Sequence, residues 1–155
     1  MKKWNFKVKS NPKEIGQNLE SELKSVDGLV FNLKRDRKNA IKFKMRKRIQ
    51  YAWYLIYLNN VIVDGKLSKT DIENETDVEI LFSQHFLWKL VIFTYAFLIL
   101  GLLIGLILGK ISGVSTYLFG VLIIAMGILL WNTVQKKYQR NVQEYKTLIS
   151  EILGI

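Results

Sequence analysis

The chain has 155 residues, half of them apolar, and a formal net charge of +10. That length suits one domain rather than two. There is no cysteine, which excludes disulfides, thiol nucleophiles and iron–sulfur ligation, and the single histidine, His85, cannot build a multi-histidine metal site.

The apolar residues are concentrated. Leu90 to Gln135 is a run of 46 residues with one charge, Lys110. The other 109 residues carry 22 of the 23 basic side chains and all 13 acidic ones. The positive charge comes mainly from 18 lysines against 5 arginines. Such an excess attracts something anionic, either phospholipid headgroups or nucleic acid. The lysine-rich composition, with only four alanines, points to a low-GC bacterial genome.

The start, Met1-Lys2-Lys3-Trp4, is basic but has no continuous apolar stretch behind it, so neither export nor lipidation is expected. Trp4, Phe6 and Val8 alternate with polar residues, the period of a strand with one buried face. Asn11 then caps a helix with Pro12 in its first turn and Glu14 completing a capping box. Ile15, Leu19, Leu23 and Val26 mark its apolar side, and Gly28 ends it. Leu29, Phe31 and Leu33 alternate again, as do Ile41, Phe43 and Met45 against Lys42, Lys44 and Arg46. Residues 50–58 fit a strand or a helix equally. A last hairpin is expected over Val61 to Lys69 and Asp77 to His85.

Leu90 to Gly109 and Val114 to Thr133 are uncharged stretches of 20 residues each. At about 1.5 Å per residue each spans roughly 30 Å, the thickness of a bilayer core. The five residues between them leave room only for a tight turn, which predicts a transmembrane hairpin over residues 87–134, with helices about 88–109 and 114–133. Trp88 and Trp131 would anchor it at one interface. Lys89, Lys136, Lys137 and Arg140 lie on that side, against Lys110 alone at the turn, so both termini are expected in the cytoplasm of a cell inner (plasma) membrane. Gly101, Gly105 and Gly109 form a stripe that either packs within the hairpin or pairs two copies as a homodimer. No acid, arginine or histidine lies inside either span, so a channel or transporter is not expected. After the spans, Val134, Tyr138, Val142, Tyr145, Ile149 and Ile152 repeat at helical spacing, which predicts an amphipathic helix over 135–155.

The expected fold class is therefore membrane α+β. A cytosolic domain, 1–86, holds an antiparallel sheet with an N-terminal helix. The C-terminal helix packs back on it, and the membrane hairpin interrupts the two. This order resembles a helix-grip (START-like) fold in reduced form. Gly65-Lys66-Leu67, Glu75-Thr76-Asp77-Val78 and Phe86 leading into the apolar pair also resemble a group of uncharacterised bacterial two-helix membrane proteins with a small cytosolic α+β domain, over roughly residues 50–150. That group has no function to lend.

Lys34 to Arg48 holds nine basic residues and one acid, Asp36. Lys42, Lys44, Arg46 and Arg48 are candidates for contact with anionic lipid headgroups, unless they form only a solvated sheet face. Nucleic acid is not expected, because the residues alternating with these charges look like core. Tyr51, Trp53, Tyr54 and Tyr57, with Tyr145, either fill the core or line a cavity for a lipid or another apolar ligand. No nucleophile–base pair or metal set emerges around His85, Ser83, Asp77 and Glu79, so neither catalysis nor a cofactor is expected. The expectation is a non-catalytic interaction module held at a membrane, with a tethered ligand-binding module as the alternative.

Overall fold

The computed structural model describes residues 2–35, 40–48, 61–70, 74–109 and 113–155. The expected ambiguity at residues 50–58, and the aromatic cluster Tyr51, Trp53, Tyr54 and Tyr57, lie outside the described residues.

Five strands form one antiparallel sheet: β1 (Lys2–Val8), β2 (Leu29–Arg35), β3 (Ile41–Lys47), β4 (Val61–Lys69) and β5 (Thr76–Gln84), in the spatial order β1-β5-β4-β3-β2. Helix α1 (Pro12–Ser25) carries the chain from one edge strand, β1, to the other, β2. Two further helices follow, α2 (Phe86–Ile107) and α3 (Val114–Leu153).

Local chemistry explains where α1 begins. The Asn11 side chain accepts from the Lys13 amide at 3.1 Å, and Pro12 occupies the first turn. Glu14 takes the Ser10 hydroxyl at 2.9 Å. Ile15, Leu19 and Leu23 face the sheet and are buried. Gly16 lies over β2 and β3, where an added Cβ would come within 3.1 Å of Leu33.

One face of the sheet is apolar throughout. Val78, Ile80 and Phe82 of β5 lie beside Val63 and Leu67 of β4, then Ile41, Phe43 and Met45 of β3, with Trp4 and Phe6 packed at the β1 edge. Residues of period two share a face, so one register fixes the whole core. Gly65 faces Phe43 directly across the β3–β4 pair, and the Phe43 ring fills the space where a Cβ would stand, 2.1 Å from its Cζ. The glycine is the condition for this ring to lie flat on the sheet, next to Phe31 at 5.7 Å between centroids.

Helix α3 is continuous for 40 residues. The sequence reading divides this stretch near Thr133, where composition turns from apolar to amphipathic. The backbone has no reason to break there, since no glycine or proline occurs between Gly127 and Gly154. At about 1.5 Å per residue the helix is roughly 60 Å long. Its second half buries Val134, Tyr138, Val142, Tyr145 and Ile149, and each fully buried apolar side chain of this size contributes about 1.5–3 kcal/mol. That half rises along β1. Gln139 accepts from the Lys2 ammonium and Lys146 lies over the Trp4 ring at 5.3 Å. The Ile152 carbonyl near its end accepts from the Asn18 amide of α1 at 3.2 Å.

The first half of α3 lies beside α2. Tyr95 of α2 fits over Gly127, where a Cβ would clash with its ring at 2.3 Å, and its hydroxyl donates to the Ile123 carbonyl. Leu102 meets Gly120. Later residues of α2 thus meet earlier residues of α3. Both helices are long and apolar enough to cross a membrane. Their surfaces are largely uncovered, with Phe93 74% and Ile107 83% exposed.

Candidate anion-binding surfaces

Only His85 separates the end of β5 from the start of α2. The end of β5 is therefore the junction end of the sheet. Because each neighbouring pair is antiparallel, β3 also ends there, while β1, β4 and β2 begin there. This topology gathers charge that is scattered in sequence. Arg46, Lys47 and Arg48 close β3 at the junction end, Lys2 and Lys3 open β1, and Lys89, Lys136 and Arg140 sit on the adjoining turns of α2 and α3. All of these side chains are exposed. The Arg48 amide donates to the Gly28 carbonyl at 2.7 Å, which fixes the end of β3 against the turn that opens β2.

The same register separates the four expected lipid-contact residues. Arg46 and Arg48 belong to the junction end, whereas Lys42 lies six residues back along the chain from Arg48. At about 3.3 Å per residue that is roughly 20 Å. Lys44 lies between, paired with Asp64 at 3.4 Å.

Lys42, Lys44 and Arg46 project from the sheet face opposite the core. Across this outer face Lys34 of β2 stands opposite Lys42 of β3, and Lys42 opposite Lys66 of β4. Like charges directly opposite one another destabilise a sheet. Carboxylates are present but drawn aside. Glu79, the neighbour of Lys66 in the same row, binds Lys3 at 2.7 Å. The hydrogen bond from Lys3 and then its charge hold the Glu79 carboxyl below its ordinary value, with Lys66 adding to the effect. A groove of about 710 Å³ lies over these rows, lined by Lys34, Lys42, Lys44 and Lys66 together with Leu81.

His85 caps α2, its Nδ1 accepting from the Leu87 amide at 3.2 Å. Partial burial, then the charges of Arg46 and Lys44, hold its pKa below the ordinary value. All three causes favour the neutral ring, the form whose Nδ1 can accept. No carboxylate or nucleophile bonds to it among the described residues. Nor does any group of His, Asp or Glu among them have the placement to hold a metal ion.

Trp88 is 3% exposed, so protein encloses the indole that the sequence places at an interface; Trp131 is 47% exposed. The Trp88 Nε1 and the Gln84 Nε2 are buried without a hydrogen-bond partner. Gly101 has open space where a Cβ would stand, and Gly109 serves as the αL residue that ends α2, at φ 64°. Gly105 is half-buried. The small-residue contacts between the two helices come instead from Gly120 and Gly127 of α3.

Tyr145 is 4% exposed and packs in the sheet–helix core with Phe82, Leu19 and Ile149. A groove of about 540 Å³ reaches it from the β2 edge, between Val26, Leu29, Lys47, Arg140 and Leu148.

Sequence alone reveals the alternation of Lys42, Lys44 and Arg46. It misses Lys34 and Lys66 as their neighbours, because only the pairing of β2, β3 and β4 sets them side by side. Comparison with protein-family models, with curated proteins and with solved structures finds no match to this chain.

Proposed function

We propose that the chain is a small integral membrane protein. Helix α2 and the first half of α3 cross the inner membrane as a hairpin. The sheet domain stands at the cytoplasmic surface as a non-catalytic interaction module, its junction end against anionic headgroups. The observation that carries this reading is the strand register. It brings Arg46, Lys47, Arg48, Lys2 and Lys3 to the one end of the sheet from which the apolar helices leave. Each basic residue near an anionic surface contributes about 1 kcal/mol.

The surface of the helices supports the same reading. Soluble proteins rarely expose continuous apolar surface on this scale. The Thr94 and Thr133 hydroxyls donate to the carbonyls four residues back, at 3.1 and 2.8 Å, leaving few polar groups that would need water. The buried face of α3 then makes the membrane helix and the domain one continuous rod.

Native mass spectrometry of the full chain, gently extracted from its membrane, tests the proposal. The wild type is expected to retain anionic phospholipid in preference to zwitterionic. The R46Q/K47Q/R48Q variant should lose that preference. Equal retention of both lipid classes by the wild type would contradict it. The alternative is a helix-grip-type module holding a lipid or small ligand, and the groove that reaches Tyr145 favours it. It predicts a bound molecule of defined mass that the triple variant keeps.

A further inference from the structure

The outer-face lysine row lies away from the junction end and is not used by the headgroup contact. Lys34, Lys42 and Lys66 are in register on three adjacent strands. Neighbouring strands lie about 4.8 Å apart, so the row spans roughly 10 Å. Lys44 stands two residues along β3 from the row, on the same face. Helices α1 and α3 both pack on the opposite face, so no described helix covers this one.

Two features suit the row to phosphate rather than to a planar carboxylate. Its cations are all lysines, compact point charges that bind phosphoryl oxygens without a fixed fork geometry. The nearby carboxylates, Glu79 and Asp64, are tied to Lys3 and Lys44 and stand beside the row, not in it. A ligand spread over roughly 10 Å with several negative charges would offset the repulsion that the register builds in.

We infer that the outer face of β2, β3 and β4 binds a soluble, multiply charged phosphoryl anion in the groove over Lys34, Lys42, Lys44 and Lys66. Lys42 lies about 20 Å along the strand direction from Arg48. That exceeds the Debye length of about 8 Å at physiological salt, so a headgroup at the junction end does not serve it. The anion site itself is independent of the membrane reading; the choice of a soluble source over a headgroup rests on it.

Tripolyphosphate is the probe, added to the full chain in neutral detergent at constant ionic strength, with thermal unfolding as the readout. The wild-type midpoint should rise with the probe. The Lys34→Gln/Lys66→Gln variant should start at a higher midpoint, because the repulsion is gone, and bind the probe roughly tenfold or more weakly. Lys34→Arg/Lys66→Arg should recover the response. An unresponsive wild type, or an equal response in the Gln variant, would overturn the site. Anionic lipid that co-purifies with the wild type and is lost from the Gln variant would overturn the soluble source. The measurement is made in detergent, so its failure is distinct from a failure of the membrane topology.

Discussion

The Tyr138 hydroxyl donates to the Phe82 carbonyl at 3.0 Å in the protein interior. Tyr138 belongs to α3 just beyond its apolar half, and Phe82 to β5 just before the chain enters α2. One bond therefore ties both strands of the junction together. Burial also pushes the Tyr138 phenol above its ordinary pKa, so it remains a donor. Tyr138→Phe leaves the carbonyl without this partner and is expected to destabilise the full chain by about 1–3 kcal/mol. Thermal unfolding in detergent measures it; a variant as stable as the wild type would show that the bond contributes nothing.

Phe43 and Gly65 form a second testable pair. Gly65→Ala puts a methyl 2.1 Å from the ring carbon. Overpacking of this kind costs about 1–3 kcal/mol. In a Phe43→Leu background the same substitution should cost less than half as much, because the flexible side chain can move aside. Equal costs in the two backgrounds, measured as a double-mutant cycle, would show that the ring is not the obstacle.

His85 predicts a pH dependence of a definite sign. Its folded pKa lies below the unfolded value of 6.5, through burial first and then Arg46 and Lys44. Between the two values the unfolded chain binds more protons, so stability rises with pH. The contribution is complete above 6.5 and is lost as pH falls through the folded value. Protonation of Nδ1 also removes the cap on the Leu87 amide. Acidification from neutral pH should therefore lower the unfolding midpoint, and His85→Gln should flatten that part of the profile. An NMR titration of His85 with a midpoint above 6.5 would contradict the assignment.

The unbroken α3 predicts slow amide exchange from Trp131 through Tyr145 without a gap. Gln135→Pro removes a hydrogen bond and inserts a ring into the helix, at about 3 kcal/mol or more. It should open exchange on both sides of residue 135. Fast exchange near 133–137 in the wild type would mean that the two halves are separate helices.

Much of this architecture is legible from local pattern. The Asn11-Pro12 start of α1 and the alternation of β1, β2 and β3 depend on neighbours in sequence, and the structure reproduces them. The apolar helices are legible because composition over 20 residues decides them. The junction between β5, α2 and α3 is not. Trp88 looks like an interface residue until tertiary packing encloses it, and the reach of α3 past Thr133 is hidden by a change in composition that the backbone ignores. The lysine row is hidden for another reason. Lys34, Lys42 and Lys66 meet only through strand register, which no local window contains.

The central claim is that the sheet domain and the α2–α3 turn lie on opposite sides of the inner membrane. The natural chain is free of cysteine, so single introduced thiols report position without background. Asn32→Cys marks the outer sheet face and Ser115→Cys the first turn of α3, both exposed. With a membrane-impermeant thiol reagent on intact cells, Ser115→Cys should label and Asn32→Cys should not, until the membrane is permeabilised. Labelling of both positions, or of Asn32→Cys alone, in intact cells would contradict the account.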